Sequence, residues 1–216
     1  MFKAMANSKM RGSRRLSVCL CGVLLLLAAC SAPPPAEVVG NPRVPAGAKS
    51  TGGKHAVIET GSGAIEIEFF ETDAPKAVEN FRLLAEHGYY DGLIFHRVLK
   101  GFMLQGGDPL GNGKGGQSAW GGSFPDEIAP DSQLYRNGYR RGIVAMANSG
   151  RNTNGSQFFI MHDNYPLQPD YVIFGKVTAG LDVVDAIANT PTTMGEDGDM
   201  SQPVTRQVIK KITIRP

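Results

Sequence analysis

The run Phe95-His96-Arg97-Val98-Leu99-Lys100-Gly101-Phe102-Met103-Leu104-Gln105-Gly106-Gly107-Asp108 decides how this chain is read, with Met146-Ala147-Asn148 and Asn154-Gly155-Ser156-Gln157-Phe158-Phe159-Ile160 further along. An arginine, glutamines and large apolar side chains stand there on short strand-like runs. No nucleophile, metal cluster or phosphate loop accompanies them. Such a set can bind and polarise a peptide without covalent chemistry.

Outward from that core, Ala56-Val57-Ile58 and Ile65-Glu66-Ile67-Glu68-Phe69 flank Gly61-Ser62-Gly63, and the second run alternates apolar with acidic residues. Period-two alternation predicts a hairpin with Ile65, Ile67 and Phe69 facing inward. Asp73 then precedes Ala74-Pro75, and Ala77, Val78, Phe81, Leu84 and Ala85 recur at helical spacing before Gly88. Proline in the first turn and a closing glycine predict an amphipathic helix. Further strands are expected at 94–99, 103–105, 143–147, 158–161, 172–177 and 207–214, and a second helix over 181–188 with Leu181, Val184, Ile187 and Ala188 on one face. Many short strands with glycine-rich connections predict a mainly β fold, an antiparallel sheet closed into a barrel, because closure removes unpaired edges.

The N-terminus reads differently. Lys3, Lys9, Arg11, Arg14 and Arg15 precede an apolar run from Val18 to Ala29 that is shorter than the roughly 20 residues a membrane span needs. It reads as a secretory signal over 1–29. Leu27-Ala28-Ala29-Cys30 resembles a bacterial lipobox, which makes Cys30 the expected lipidation site and the first mature residue. An ordinary signal cleaved after Ala29 is the plainer alternative. Cys19 and Cys21 lie inside the signal, so no cysteine follows Cys30 and the mature body can hold no internal disulfide. The signal carries five cations and no anion, so the whole-chain charge of +2 becomes −3 after its removal. A basic footprint for nucleic acid is therefore missing. Residues 30–53 contain Pro33, Pro34, Pro35, Pro42 and Pro45 among small residues and read as a flexible tether. One domain of about 160 residues, 54–216, is large enough for a single core.

The Phe95 to Asp108 run, Ala74-Pro75-Lys76-Ala77-Val78-Glu79-Asn80-Phe81, the Asn154 to Ile160 run and Ile173-Phe174-Gly175-Lys176-Val177 together resemble the cyclophilin family of peptidyl-prolyl cis-trans isomerases. The resemblance implies a closed eight-stranded antiparallel β-barrel capped by two helices, with a substrate groove on its outer surface. It also implies an enzyme that accelerates X-Pro rotation, expected to act as a monomer on proline-containing polypeptides without cofactor or metal. Arg97, Phe102 and Gln105 are then the expected catalytic residues. Met103, Ala147, Asn148, Gln157, Phe159, Leu167 and Tyr171 are the expected substrate contacts. Pro166 stands where cyclosporin-binding members carry tryptophan, and Tyr171 where many carry histidine, so weak cyclosporin binding is expected. The lipidated Cys30 would place the enzyme in the cell envelope, attached to a membrane.

The chemistry asks little of the side chains. An X-Pro bond resists rotation through amide resonance, with a barrier of about 18–20 kcal/mol. A donor aimed at the prolyl nitrogen localises its lone pair and weakens that resonance. Arg97 suits this, since guanidinium stays charged and presents donors in a fixed fork. His96 beside it has no proton to transfer and is expected to serve as a structural hydrogen-bonding residue. A competing reading, a tethered module that captures proline peptides with incidental turnover, stays open. Gly111-Asn112-Gly113-Lys114-Gly115-Gly116 satisfies a nucleotide-loop string, yet no helix follows it, and it reads as a loop beside the groove.

Overall fold

The protein is described by a computed structural model over residues 44–216, so the signal, Cys30 and the first part of the tether lie outside the described residues. One antiparallel sheet of nine strands dominates, in the order β3-β11-β1-β2-β8-β6-β7-β5-β4. These strands are β1 His55–Thr60, β2 Ala64–Phe69, β3 Ile94–Phe95, β4 Arg97–Leu99, β5 Met103–Gly106, β6 Ile143–Met146, β7 Phe158–Met161, β8 Ile173–Ala179 and β11 Gln207–Arg215. The remaining pair, β9 Thr192–Met194 and β10 Met200–Pro203, forms a separate hairpin.

The two ends of the sheet, β3 and β4, are consecutive in the chain and separated only by His96. The nearly closed barrel therefore follows the expected plan, but its count is corrected from eight strands to nine. One expected strand over 94–99 breaks at His96 so that its first part pairs with β11 and its second with β5. The helix count is corrected too. Beside α1 Pro75–Glu86 and α3 Leu181–Ala188 there is a short α2, Gln133–Asn137, with Ser132 accepting from the Tyr135 amide at its N-terminus.

The interior is filled by the alternate residues of the strands. Ile65 and Ile67 are fully buried and Phe69 nearly so, as the alternation in β2 requires. Phe81 of α1 enters the same core, its ring centroid 5.0–5.9 Å from those of Tyr90, Phe158, Phe174 and Phe69. Burying one such ring contributes about 1.5–3 kcal/mol. Val184 and Ile187 of α3 join the same cluster. Residues 44–53, expected as part of the tether, lie against the domain: Val44 and Ala48 pack on the core, and Ser50 and Thr51 bond Glu79 and Glu86 of α1.

A second apolar cluster sits on the opposite face of β5, β6 and β7. Met103, Ala145, Phe159, Met161 and Ile173 form it with Tyr135 and Tyr139. Successive strand residues point to opposite faces, so Phe158 and Ile160 enter the barrel while Phe159 and Met161 enter this outer layer. This outer layer carries the site.

Candidate active site

Arg97 on β4 pairs in register with Gln105 on β5, and Gln105 with Phe159 on β7. Three neighbouring strands thus bring the three residues onto one outer surface. Phe102, Ala147, Leu167 and Tyr171 pack partly buried against the outer cluster that contains Met103 and Phe159. All six expected apolar and aromatic contacts are therefore brought together. Met103 is 1% exposed and Phe159 4%, so the floor of this surface is dry. Phe159 and Tyr171 meet edge to face, centroids 5.4 Å apart.

The guanidinium of Arg97 lies over Phe102, 5.9 Å from the ring centroid, and Nη1 reaches Met103 Sδ at 4.0 Å. It therefore faces the apolar floor. It is also ion-paired: Nε donates to Asp197 Oδ2 at 2.5 Å, and Nη2 lies 3.8 Å from Asp199 Oδ2. The side chains of Arg97 and Asp197 are each 26% exposed. One edge of the fork is occupied by the hairpin tip, while the other lies at the floor.

Gln105 donates from Nε2 to Gln157 Oε1 at 2.9 Å, and Gln157 donates to the carbonyls of Gly113 and Gly115. Both glutamines are expected at the peptide. They bond one another and tie β5 to the glycine loop, which leaves Gln105 its side-chain carbonyl oxygen for a peptide. The Asn148 side chain is also engaged: its Nδ2 donates to Asp170 O and its Oδ1 accepts from the Gly150 amide, which ties its own turn to the segment leading to Tyr171. The glycine loop is folded around Asp108, which is 1% exposed and accepts from the amides of Leu110, Asn112 and Gly113. Those amides are spent and cannot cradle a phosphate.

His96 does not fill the hydrogen-bonding role expected of it. Among the described residues neither ring nitrogen has a partner. Burial pushes its pKa down and outweighs the opposing pull of the Asp108 carboxylate, so desolvation favours the neutral ring. Asn154, the first residue of the Asn154 to Ile160 run, is fully buried and donates to Phe124 O and Asp126 Oδ1.

Two open cavities flank Gln105 and Lys114. One of about 310 Å³ lies between the glycine loop and the β9–β10 hairpin, with Arg97 in its wall. The other, about 250 Å³, is lined by Ala147, Asn148, Gln157 and Ser123. Lys114 and Glu196 form an exposed ion pair at the first cavity, 2.6 Å apart. Sequence reasoning missed Tyr165, whose ring lies 4.3 Å from that of Phe102, and the acidic tip residues Asp197 and Asp199. Nothing in their local sequence signals these contacts.

A family model described as cyclophilin type peptidyl-prolyl cis-trans isomerase/CLD matches residues 55–214. The chain is similar to peptidyl-prolyl cis-trans isomerase CYP18-1 of Arabidopsis thaliana, 48% identical over 158 residues, which are 73% of this chain and 93% of that protein. It is 52% identical over 141 residues to peptidyl-prolyl cis-trans isomerase 9 of Schizosaccharomyces pombe, covering 65% of this chain and 22% of that longer protein. A crystal structure of a Cryptosporidium parvum cyclophilin type peptidyl-prolyl cis-trans isomerase superposes with TM-score 0.68 at 41% identity, over 76% of this chain and 98% of that one. A second, determined in the presence of the dipeptide Ala-Pro, gives TM-score 0.67 at 41% identity, over 75% and 99%.

Proposed function

The chain belongs to the family of cyclophilin-type peptidyl-prolyl cis-trans isomerases, and on that premise we propose that it accelerates X-Pro rotation at the outer surface bearing Arg97. The single observation that carries this reading is the guanidinium lying over Phe102 and beside Met103, a donor held at the edge of an apolar floor. A proline ring seated on Met103, Phe159 and Leu167 would bring its nitrogen within reach of the Nη edge. That a related crystal structure was determined in the presence of Ala-Pro supports a proline dipeptide as the recognised unit.

A rate gain of about 10⁵ asks for roughly 7 kcal/mol of transition-state stabilisation. One charge-assisted hydrogen bond contributes about 1.5–3 kcal/mol. Arg97 therefore supplies a part, and the dry floor and fixed strands supply the rest by favouring the twisted amide over either planar isomer. Phe102 shields the reacting bond from water, and the Gln105 carbonyl orients the peptide. Since no proton moves, neutral His96 takes no part.

Arg97→Ala in a protease-coupled assay with a proline tetrapeptide should lower kcat/KM by at least about tenfold, the loss of one such bond. Unchanged turnover overturns the assignment. Retained peptide binding with lost turnover separates the enzyme from the rival reading, a peptide-capturing module.

We further propose that the enzyme is exported and attached to a membrane through lipidated Cys30, acting as a monomer on exported polypeptides in the cell envelope. The lipobox-like Leu27-Ala28-Ala29-Cys30 after a cationic, apolar leader supports this. Fatty-acid labelling of the intact chain should be lost in Cys30→Ser, and labelling that persists in that variant removes the anchor.

A further inference from the structure

We infer that Asp197 is a positioning residue for Arg97, holding the guanidinium by its Nε, beside the longer Nη2–Asp199 contact, so that Nη1 stays on the apolar floor. This rests on the isomerase reading given above.

The carboxylate is fixed before it meets the arginine. Its Oδ1 accepts from Ser201 Oγ at 2.7 Å and from the Asp199 amide at 3.2 Å, both within the β9–β10 hairpin. Gly195 closes the same tip by donating to Asp199 O. A Cβ on Gly195 would stand 2.5 Å from Ser201 Oγ and 2.6 Å from Asp197 Oδ1, so the tip leaves no room for a side chain there. Ser201 is 2% exposed, so its hydroxyl is fixed by packing and holds Oδ1 from the buried side of the tip. Only Oδ2 remains, and it accepts from Arg97 Nε. The hairpin itself packs against β4, the strand that carries Arg97.

Two effects oppose one another. The negative charge of Asp197 damps the positive charge that Arg97 offers to the prolyl nitrogen. Its hydrogen bond removes the rotamer freedom of a long side chain that is a quarter exposed. The contact is made at Nε, the atom on the far side of the fork from the Nη1 that touches Met103. Geometry therefore favours orientation over damping, and misplacement by an ångström costs more in rate than partial neutralisation. The sign of the mutational effect distinguishes the two.

The test uses steady-state kinetics of the full chain on a proline tetrapeptide. Asp197→Ala should lower kcat about tenfold with KM within twofold of wild type. Asp197→Asn keeps an oxygen for Nε and should recover at least half of the lost rate. In an Arg97→Lys background, which lacks Nε–H, Asp197→Ala should cost nothing further. Ser201→Ala, which frees Oδ1, should lower kcat about twofold. A faster or unchanged Asp197→Ala enzyme, a loss carried by KM alone, an Asn variant as impaired as the Ala variant, or full additivity with Arg97→Lys each overturns the inference. If Asp197→Ala fails to fold, Asp197→Ser, whose hydroxyl is too short to reach Nε, takes its place in every comparison, with the same outcomes expected and the same ones overturning the inference. An Arg97→Ala enzyme as active as wild type removes the isomerase site itself, whereas an inactive one beside a normal Asp197→Ala removes only the positioning role.

Discussion

Arg82 is 2% exposed on α1, an unusual place for a cation, and it is held there by Glu71 through bonds of 3.0 and 3.2 Å. Its guanidinium also lies 5.2 Å from the Phe69 ring centroid. The hydrogen bond and the charge of Arg82 hold the Glu71 carboxyl below the usual carboxylate range. A carboxyl whose folded pKa is depressed adds stability that is full above its unfolded pKa and lost as pH falls through the folded value. Glu71→Gln should therefore destabilise the protein by about 1 kcal/mol at neutral pH, a figure held down because Glu71 is largely solvent-exposed. That gap should close in acid. Denaturant unfolding of both proteins at several pH values checks this, and a gap independent of pH sinks it. The sequence shows why such residues are hard to read: helical spacing marks Phe81 and Leu84 as core, but Arg82 reads as solvent-facing until Glu71 and Phe69 are seen beside it. The same holds for Asp197, which lies 100 residues from Arg97. Arg97 and Met103 stand in one recognisable run and Phe159 in another, so the sequence could place them in one surface, as β4, β5 and β7 do.

At the scale of elements, periodicity worked where one face is buried and the other wet. The alternation in β2 and the apolar stripe of α1 gave both elements to within a residue or two. β7 defeats the period-two rule, since Phe158, Phe159, Ile160 and Met161 are all buried, two toward the barrel and two toward the outer cluster. A short apolar run buried on both faces is still a strand, but nothing in it says which side chains belong to the site. The hairpin β9–β10 was not legible. Thr192-Thr193-Met194 and Met200-Ser201-Gln202-Pro203 lack an apolar face, and Met194 and Met200 are more than half exposed. Its stability comes from a tip wound around the Asp197 carboxylate, which no hydropathy pattern records. The break at His96 was hidden for a related reason: 94–99 is continuous strand in composition, and only pairing with two different partners divides it.

For the whole molecule, the barrel alone does not mark where the folded unit starts. The family match begins at residue 55, where β1 begins, yet the chain before it is engaged with α1. The Ser50 amide donates to Glu79 Oε1 at 3.0 Å and the Thr51 amide to Glu86 Oε1 at 2.9 Å. The Ser50 and Thr51 hydroxyls each add a further bond to the same carboxylates, while Val44 and Ala48 cover the core beside them. Each hydrogen bond contributes about 0.5–1.5 kcal/mol net, less where exposed, and ordering the segment costs backbone entropy. A net of about 2 kcal/mol is expected, which for a domain of this size is a Tm shift of roughly 4–8 °C. A chain beginning at His55 should thus melt that much below one beginning at Val44. Its isomerase turnover at low temperature should be unchanged, because Val44 and Ala48 pack on the inner cluster rather than the outer one that carries Arg97's apolar floor. Equal melting temperatures would show that the segment rests on α1 without stabilising it. A shorter chain that melts normally but turns over slowly would place residues 44–53 in the site rather than behind it.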